Sequence, residues 1–247
     1  MAGIALRHVS VTFPMFFAGD RSFKRNLFGP LLGPQSSRHR NTVIALDDVT
    51  LALQGGSRLA VLGGNAAGKT TLLRVLGGLL PPSKGSAETH GRAISLLGTG
   101  IGIDANFTAH QTIIGQGLLL GFGAAACRQR LERAVDFGAL EGVLDQPLNT
   151  LSQGDQVRLA LGIAVAYEAE ILLIDEMLDH LQPAMIDRLC KHIESGMPPS
   201  SIVVIAERSK AFLERICDQA VLLNHGKLLD SGPLAGMLER HQTQLTS

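Results

Sequence analysis

In the stretch Gly63-Gly64-Asn65-Ala66-Ala67-Gly68-Lys69-Thr70, glycines open and close a loop that ends in an amine and a hydroxyl. A loop of the form G-x-x-x-x-G-K-[ST] wraps tightly, so that backbone N–H groups and the start of the next helix point at anionic oxygens. Lys69 would reach β- and γ-phosphates, and the Thr70 hydroxyl would ligate Mg²⁺. The apolar run Leu59-Ala60-Val61-Leu62 precedes the loop, and the helical run Thr71-Leu72-Leu73-Arg74-Val75-Leu76 follows it. That strand–loop–helix setting is what a phosphate cradle requires, so the stretch predicts a nucleoside triphosphate site.

Two further groups of residues carry chemistry. Ile171-Leu172-Leu173-Ile174-Asp175-Glu176 is an apolar strand that ends in two carboxylates. A strand this apolar belongs inside a sheet, so both acids emerge at the sheet edge where ligands bind. Neighbouring residues at a strand end point in different directions. Asp175 can therefore hold Mg²⁺ while Glu176 faces an attacking water as base. Leu151-Ser152-Gln153-Gly154-Asp155-Gln156-Val157-Arg158 precedes the apolar run Leu159–Val165 and reads as a second anion-binding helix start. There Ser152 serves as helix cap or phosphate donor, and Gly154 permits close backbone approach. Capping alone would also account for Ser152.

The elements that must position these residues follow from the apolar pattern. Strands are expected at 4–13, at 43–53 and at 58–62, the last running into the loop. From 108 to about 167 the pattern turns helical, interrupted by Gly138, Gly142 and Pro147. Beyond it, strands 171–174, 202–206 and 219–223 alternate with helices 184–194 and 210–217. A tight turn at Asn224-His225-Gly226 and a terminal helix at 234–240 complete the chain. Such alternation implies an α/β protein with a largely parallel, doubly wound sheet.

Bulk properties bound the function. The 247 residues suffice for one large α/β domain with a helical insert, and 45% apolar with 18% charged residues fits a compact globule. With 22 basic against 22 acidic residues, no dominant attraction to nucleic acid is implied. Cys127, Cys190 and Cys217 match neither a disulfide framework nor a zinc pattern, which makes a reducing compartment the default. The N-terminus has no apolar core of a signal peptide, and the longest apolar run, 117–127, is too short to cross a bilayer. Any membrane connection is therefore expected to be peripheral. The segment 14–41 is basic, through Arg21, Lys24, Arg25, Arg38 and Arg40, and is broken by Gly29-Pro30 and Gly33-Pro34. It reads either as a solvated excursion or as a patch facing anionic headgroups or a membrane partner.

Taken together, the phosphate loop, then Leu-Ser-x-Gly with a downstream Arg, then four apolar residues and Asp-Glu, resembles the ATP-binding cassette family. The order covers almost the whole chain. The resemblance implies a single cassette domain over 1–247. Its core sheet is mostly parallel, with an N-terminal antiparallel β subdomain and a helical subdomain at about 104–168. It also implies ATP and Mg²⁺ as ligands, and a homodimer or a heterodimer with another cassette. ATP would lie between the phosphate loop of one subunit, residues 63–70 with Thr71, and the Ser152–Gly154 loop of the other. Phe13, at the end of the first strand, would stack on the adenine. A membrane-spanning permease would be driven from the cytoplasmic face of the membrane, with Glu176 and Lys69 in hydrolysis and Thr70 and Asp175 on the metal.

The basic excursion, together with Ala93-Ile94-Ser95-Leu96-Leu97-Gly98-Thr99-Gly100-Ile101-Gly102 and its glycine-rich end, is similar to exporters of lipid-linked polysaccharide such as O-antigen, capsule or teichoic acid. The chain departs from the family in three places. Ala66 replaces the third loop glycine, a mild change where that residue keeps φ negative. Gln182 replaces the Asp of the usual Leu-Asp-Pro turn, with Asp179 as a stand-in. Glu207 stands where the family has a His against the γ-phosphate, with Arg208 one residue out of register. An acid facing phosphate would repel it and slow hydrolysis. A cassette that binds ATP as a regulatory or assembly subunit, with little hydrolysis, is the alternative.

Overall fold

The computed structural model describes residues 2–14, 42–97 and 104–245. Nearly all of the basic excursion and the glycine-rich stretch Gly98–Gly102 lie outside the described residues. Two sheets and seven α-helices make up the described part. Three strands form an antiparallel sheet: β1 (Gly3–Pro14) lies between β2 (Thr42–Gln54) and β4 (Lys84–His90). The second sheet has six strands in the order β5-β6-β7-β3-β8-β9. Here β3 is Arg58–Leu62, β5 Ala93–Leu97, β6 Ile171–Asp175, β7 Ile202–Ala206, β8 Gln219–Asn224 and β9 Lys227–Pro233. The first five strands in that order are parallel, and β9 returns antiparallel to β8.

The interior strands are apolar throughout because both of their faces are covered. Alternate residues serve different cores. Leu62, Leu172, Ile174, Val203 and Ile205 join one cluster, while Val61, Ile171, Leu173, Ile202 and Val204 join another. The first cluster packs under helices α4 (Gln153–Ala166), α5 (Pro183–Lys191), α6 (Lys210–Ile216) and α7 (Leu234–Leu245). The second is shared with α1 (Lys69–Leu76) and the small sheet, through Leu72, Leu73, Leu6 and Val9. A third cluster lies among α2 (Ala109–Leu119), α3 (Ala124–Gly138) and α4. There the hydroxyl of Tyr167 donates to the Ile113 carbonyl at 2.8 Å, which satisfies a polar tip inside an apolar layer.

Local signals account for the boundaries. Thr108 caps α2 in a reciprocal capping box with Gln111, and Ser152 caps α4 by accepting from the Asp155 amide. From Leu159 onward α4 is apolar and nearly all buried, which suits a helix between two clusters. The turn at His225-Gly226 has positive φ at both residues, 45° and 78°, as a two-residue hairpin demands. The expected strands and helices are present. Beyond them the structure adds β4, β5 and β9, and it continues α5 into one π-helical turn, His192–Gly196.

Candidate functional site

The phosphate loop leaves β3 in the middle of the large sheet. Gly68 adopts φ 107°, and a Cβ there would meet the Ala45 carbonyl oxygen at 2.6 Å, so only glycine fits this close crossing of β2. The β8–β9 turn braces the loop, since the Gly226 amide donates to the Ala67 carbonyl at 2.9 Å. Ala66 has φ 59°, so the condition under which an alanine would be a mild change at this place is not met. The loop holds a Cβ in a left-handed conformation at a cost of about 1–2 kcal/mol.

Lys69, 13% exposed, folds back over the loop and donates from Nζ to the carbonyls of Gly63 and Gly64 at 3.0 and 3.1 Å. Thr70 Oγ1 donates to Asp175 Oδ2 at 2.6 Å. Asp175 is 8% exposed, and burial raises its pKa, partly offset by the Thr70 hydrogen bond. The hydroxyl and carboxylate are hard oxygen donors, the kind Mg²⁺ takes when phosphates and water complete its shell. Among the described residues no group of three or more His, Cys, Asp and Glu could hold a metal ion, so the donor set here stays sparse, as Mg²⁺ sites commonly are.

Glu176 has φ 41°, which reverses the chain after β6, and its amide donates to the Ala206 carbonyl at 2.8 Å. The two neighbouring acids therefore diverge. Asp175 turns to Thr70, whereas Glu176 Oε1 lies 3.3 Å from Lys69 Nζ and its Oε2 3.2 Å from Arg208 Nη2. Residues 65–71, Asp175 and Glu176 share the wall of one groove of about 400 Å³, whose other side is Val43, Ile44 and Ala45 of β2. Phe13 is the cross-strand partner of Val43 and is 39% exposed. The groove can thus take an anion on its loop, a divalent cation at Thr70 and Asp175, and a flat apolar group against β2.

Ser152 and Gly154 start α4. The Ser152 hydroxyl donates to Asp155 Oδ2 at 2.7 Å, and this bond, with Arg158, holds the Asp155 carboxyl below its ordinary pKa. A Cβ on Gly154 would meet the His180 carbonyl at 2.9 Å. That glycine lets α4 abut the 3₁₀ turn Leu178–His180 after β6.

The carboxylate of Glu207 is engaged by the turn after β6. Its Oε1 accepts from the amides of Met177 and Leu178 at 2.6 and 3.0 Å, so the carboxylate caps the turn after β6. Burial pushes its pKa up, against those hydrogen bonds. Sequence reasoning did not see this because the donor amides lie on another strand's loop. The order β6-β7-β3 is the missing information. It also missed His241 of α7, which lies by Gly63 and Lys69. Burial, then Lys69, lowers its pKa.

Solved ATP-binding cassettes share this architecture. The ATP-binding subunit of an ABC transporter superposes with a TM-score of 0.76 at 20% identity, covering 99% of both chains. A dimeric cassette in a post-hydrolysis state with ADP and Pi gives 0.71 at 18% identity, over 94% of this chain and 98% of that one. Among curated proteins, the O-antigen export system ATP-binding protein RfbE of Yersinia enterocolitica is 28% identical over 93% of this chain and 98% of its own. The teichoic acids export ATP-binding protein TagH of Listeria innocua is 23% identical over 96% of this chain and 69% of its own. The family model described as ABC transporter matches residues 46–179, from β2 through the turn after β6. That span takes in the loop, the Ser152 helix start and both carboxylates, and the chain belongs to the ABC transporter family.

Proposed function

We propose that the chain is the ATP-hydrolysing subunit of an exporter for lipid-linked polysaccharide of the O-antigen, capsule or teichoic-acid type. It would act with a membrane-spanning permease from the cytoplasmic face of the membrane. The observation that carries the hydrolytic part is the divergence of Asp175 and Glu176 around the phosphate loop. The amides of 65–70 and Lys69 would bind the β- and γ-phosphates, and Thr70 with Asp175 would hold Mg²⁺. When bound, that ion neutralises charge on the phosphate oxygens. Glu176 would orient the attacking water and take its proton. Phe13 with Val43 and Ile44 would bed the base. In a dimer, homomeric or with a second cassette, Ser152 and Gly154 would close on the nucleotide of the partner.

The exporter reading is supported by the names of the relatives matched over nearly their full length, and by the basic excursion 14–41. The domain reading stays the simplest one: a single cassette over 1–247, with its helical subdomain at about 104–168. In the test, the chain is removed from its host and lipid-linked polysaccharide is assayed on the two sides of the membrane. We expect intermediates to build up inside, with rescue by the wild type and none by Glu176→Gln. Unchanged surface polysaccharide in the deletion strain would overturn the assignment.

A further inference from the structure

The carboxylate of Glu176 is held at both oxygens by cations from two different elements. Lys69 Nζ lies 3.3 Å from Oε1, and Arg208 Nη2 lies 3.2 Å from Oε2. The same Arg208 nitrogen is 3.3 Å from Asn65 Oδ1, so it also reaches the phosphate loop. This follows from strand order. β7 lies between β3 and β6, and the residues that leave it emerge between the loop after β3 and the acids after β6. Glu207 takes the side facing the turn after β6, where two amides hold it, and Arg208 is left on the side facing the loop. Arg208, Asn65 and Lys69 also wall a second cavity of about 430 Å³ that adjoins the groove.

A carboxylate with one oxygen on each of two cations fills the place that any anion would take on that pair. We propose that Glu176 is an internal stand-in for the terminal phosphate of the nucleotide, and that Arg208 moves from Glu176 to that phosphate when a triphosphate binds. The inference rests on the reading of the chain as an ATPase. The exchange is favoured in its direction. A terminal phosphate carries more charge than a carboxylate, and the guanidinium fork matches phosphate oxygens in pairs. The side chain of Arg208 is 70% exposed, so its movement breaks no packed contact. Two consequences follow. With no nucleotide, both oxygens of Glu176 are occupied by cations. With a triphosphate both cations are drawn off, and the base is released only when its substrate is in place. A diphosphate has no γ-phosphate to offer, and Arg208 returns to Glu176.

The test measures the affinity of the full chain for a non-hydrolysable ATP analogue and for ADP, each with Mg²⁺, beside steady-state turnover of ATP. Arg208→Ala should weaken the analogue by about tenfold, equivalent to one lost charged contact, and leave ADP within twofold. Turnover should fall by about 10²-fold, with partial recovery in Arg208→Lys. Glu176→Gln should tighten the analogue, and the gain should vanish when Arg208→Ala is added. Arg208→Ala that binds both nucleotides and turns over like the wild type would overturn the stand-in while leaving the ATPase reading intact. The binding pattern without turnover in the wild type would do the reverse.

Discussion

Ala66 and Glu176, two residues of the groove wall, stand in backbone conformations that their side chains oppose, and they differ in what they gain from it. Ala66, at φ 59°, is exposed, whereas Glu176, at φ 41°, owes its separation from Asp175 to that reversal. Ala66→Gly is therefore expected to stabilise the fold by about 1 kcal/mol, the relief of a left-handed alanine less the added freedom of glycine when unfolded. Urea unfolding checks it, and a loss of stability would show that the loop is not strained there. At Glu176 the same cost sets the carboxylate apart from Asp175, as the proposed hydrolysis requires. Glu176→Gln should reduce ATP turnover by about 10²–10⁴-fold, the usual contribution of a positioned base, while a fluorescent ATP analogue still binds. The types and spacing of these residues were legible in the sequence. Their partners were not, because Arg208 reaches Glu176 only through a neighbouring strand.

At the scale of elements, the end of β7 governs the turn after β6. Replacing Glu207 with Ala removes the acceptor shared by the Met177 and Leu178 amides, and the cost should be about 1–3 kcal/mol in thermal or urea unfolding. Glu207→Gln keeps an acceptor and removes the buried charge. In the wild type the folded pKa of Glu207 is raised above its ordinary 4.5. Its contribution to stability is full below that ordinary value and is lost as pH rises through the folded pKa. Stability should then shift in favour of Glu207→Gln as pH is raised from below 4.5 to neutrality, and a constant difference would contradict a raised pKa. The neighbouring helix is weak at its start: Gln182 caps α5 with no side-chain hydrogen bond. Gln182→Asp should restore that bond and add about 1 kcal/mol.

Over the whole molecule, the parts legible in advance were those written as periodic apolar pattern. β3, β6 and β7 are buried on both faces and read as short apolar runs, and α4 reads as a buried helix. β4 escaped because its outer positions face solvent, so Lys84–His90 carries no alternation of apolar residues. β9 escaped for a similar reason, as an edge strand with alternate residues exposed. Assembly is the property with most to say about function. Glu176→Gln, which would hold ATP unhydrolysed, should elute as a dimer with Mg-ATP and as a monomer with ADP in light-scattering chromatography. Ser152→Arg, placed where the partner's nucleotide would sit, should abolish the dimer and spare binding of ATP to the monomer.

The hydrogen bond from Gly226 to Ala67 joins the hairpin at the far end of the chain to the loop proposed to receive the nucleotide. Asn224, beside that turn, is exposed. A fluorophore attached there would sit outside the groove yet share a rigid backbone link with its floor. The hairpin offers an optical window on the motor, through which arrival and departure of ATP could be timed in single molecules without a label on the nucleotide.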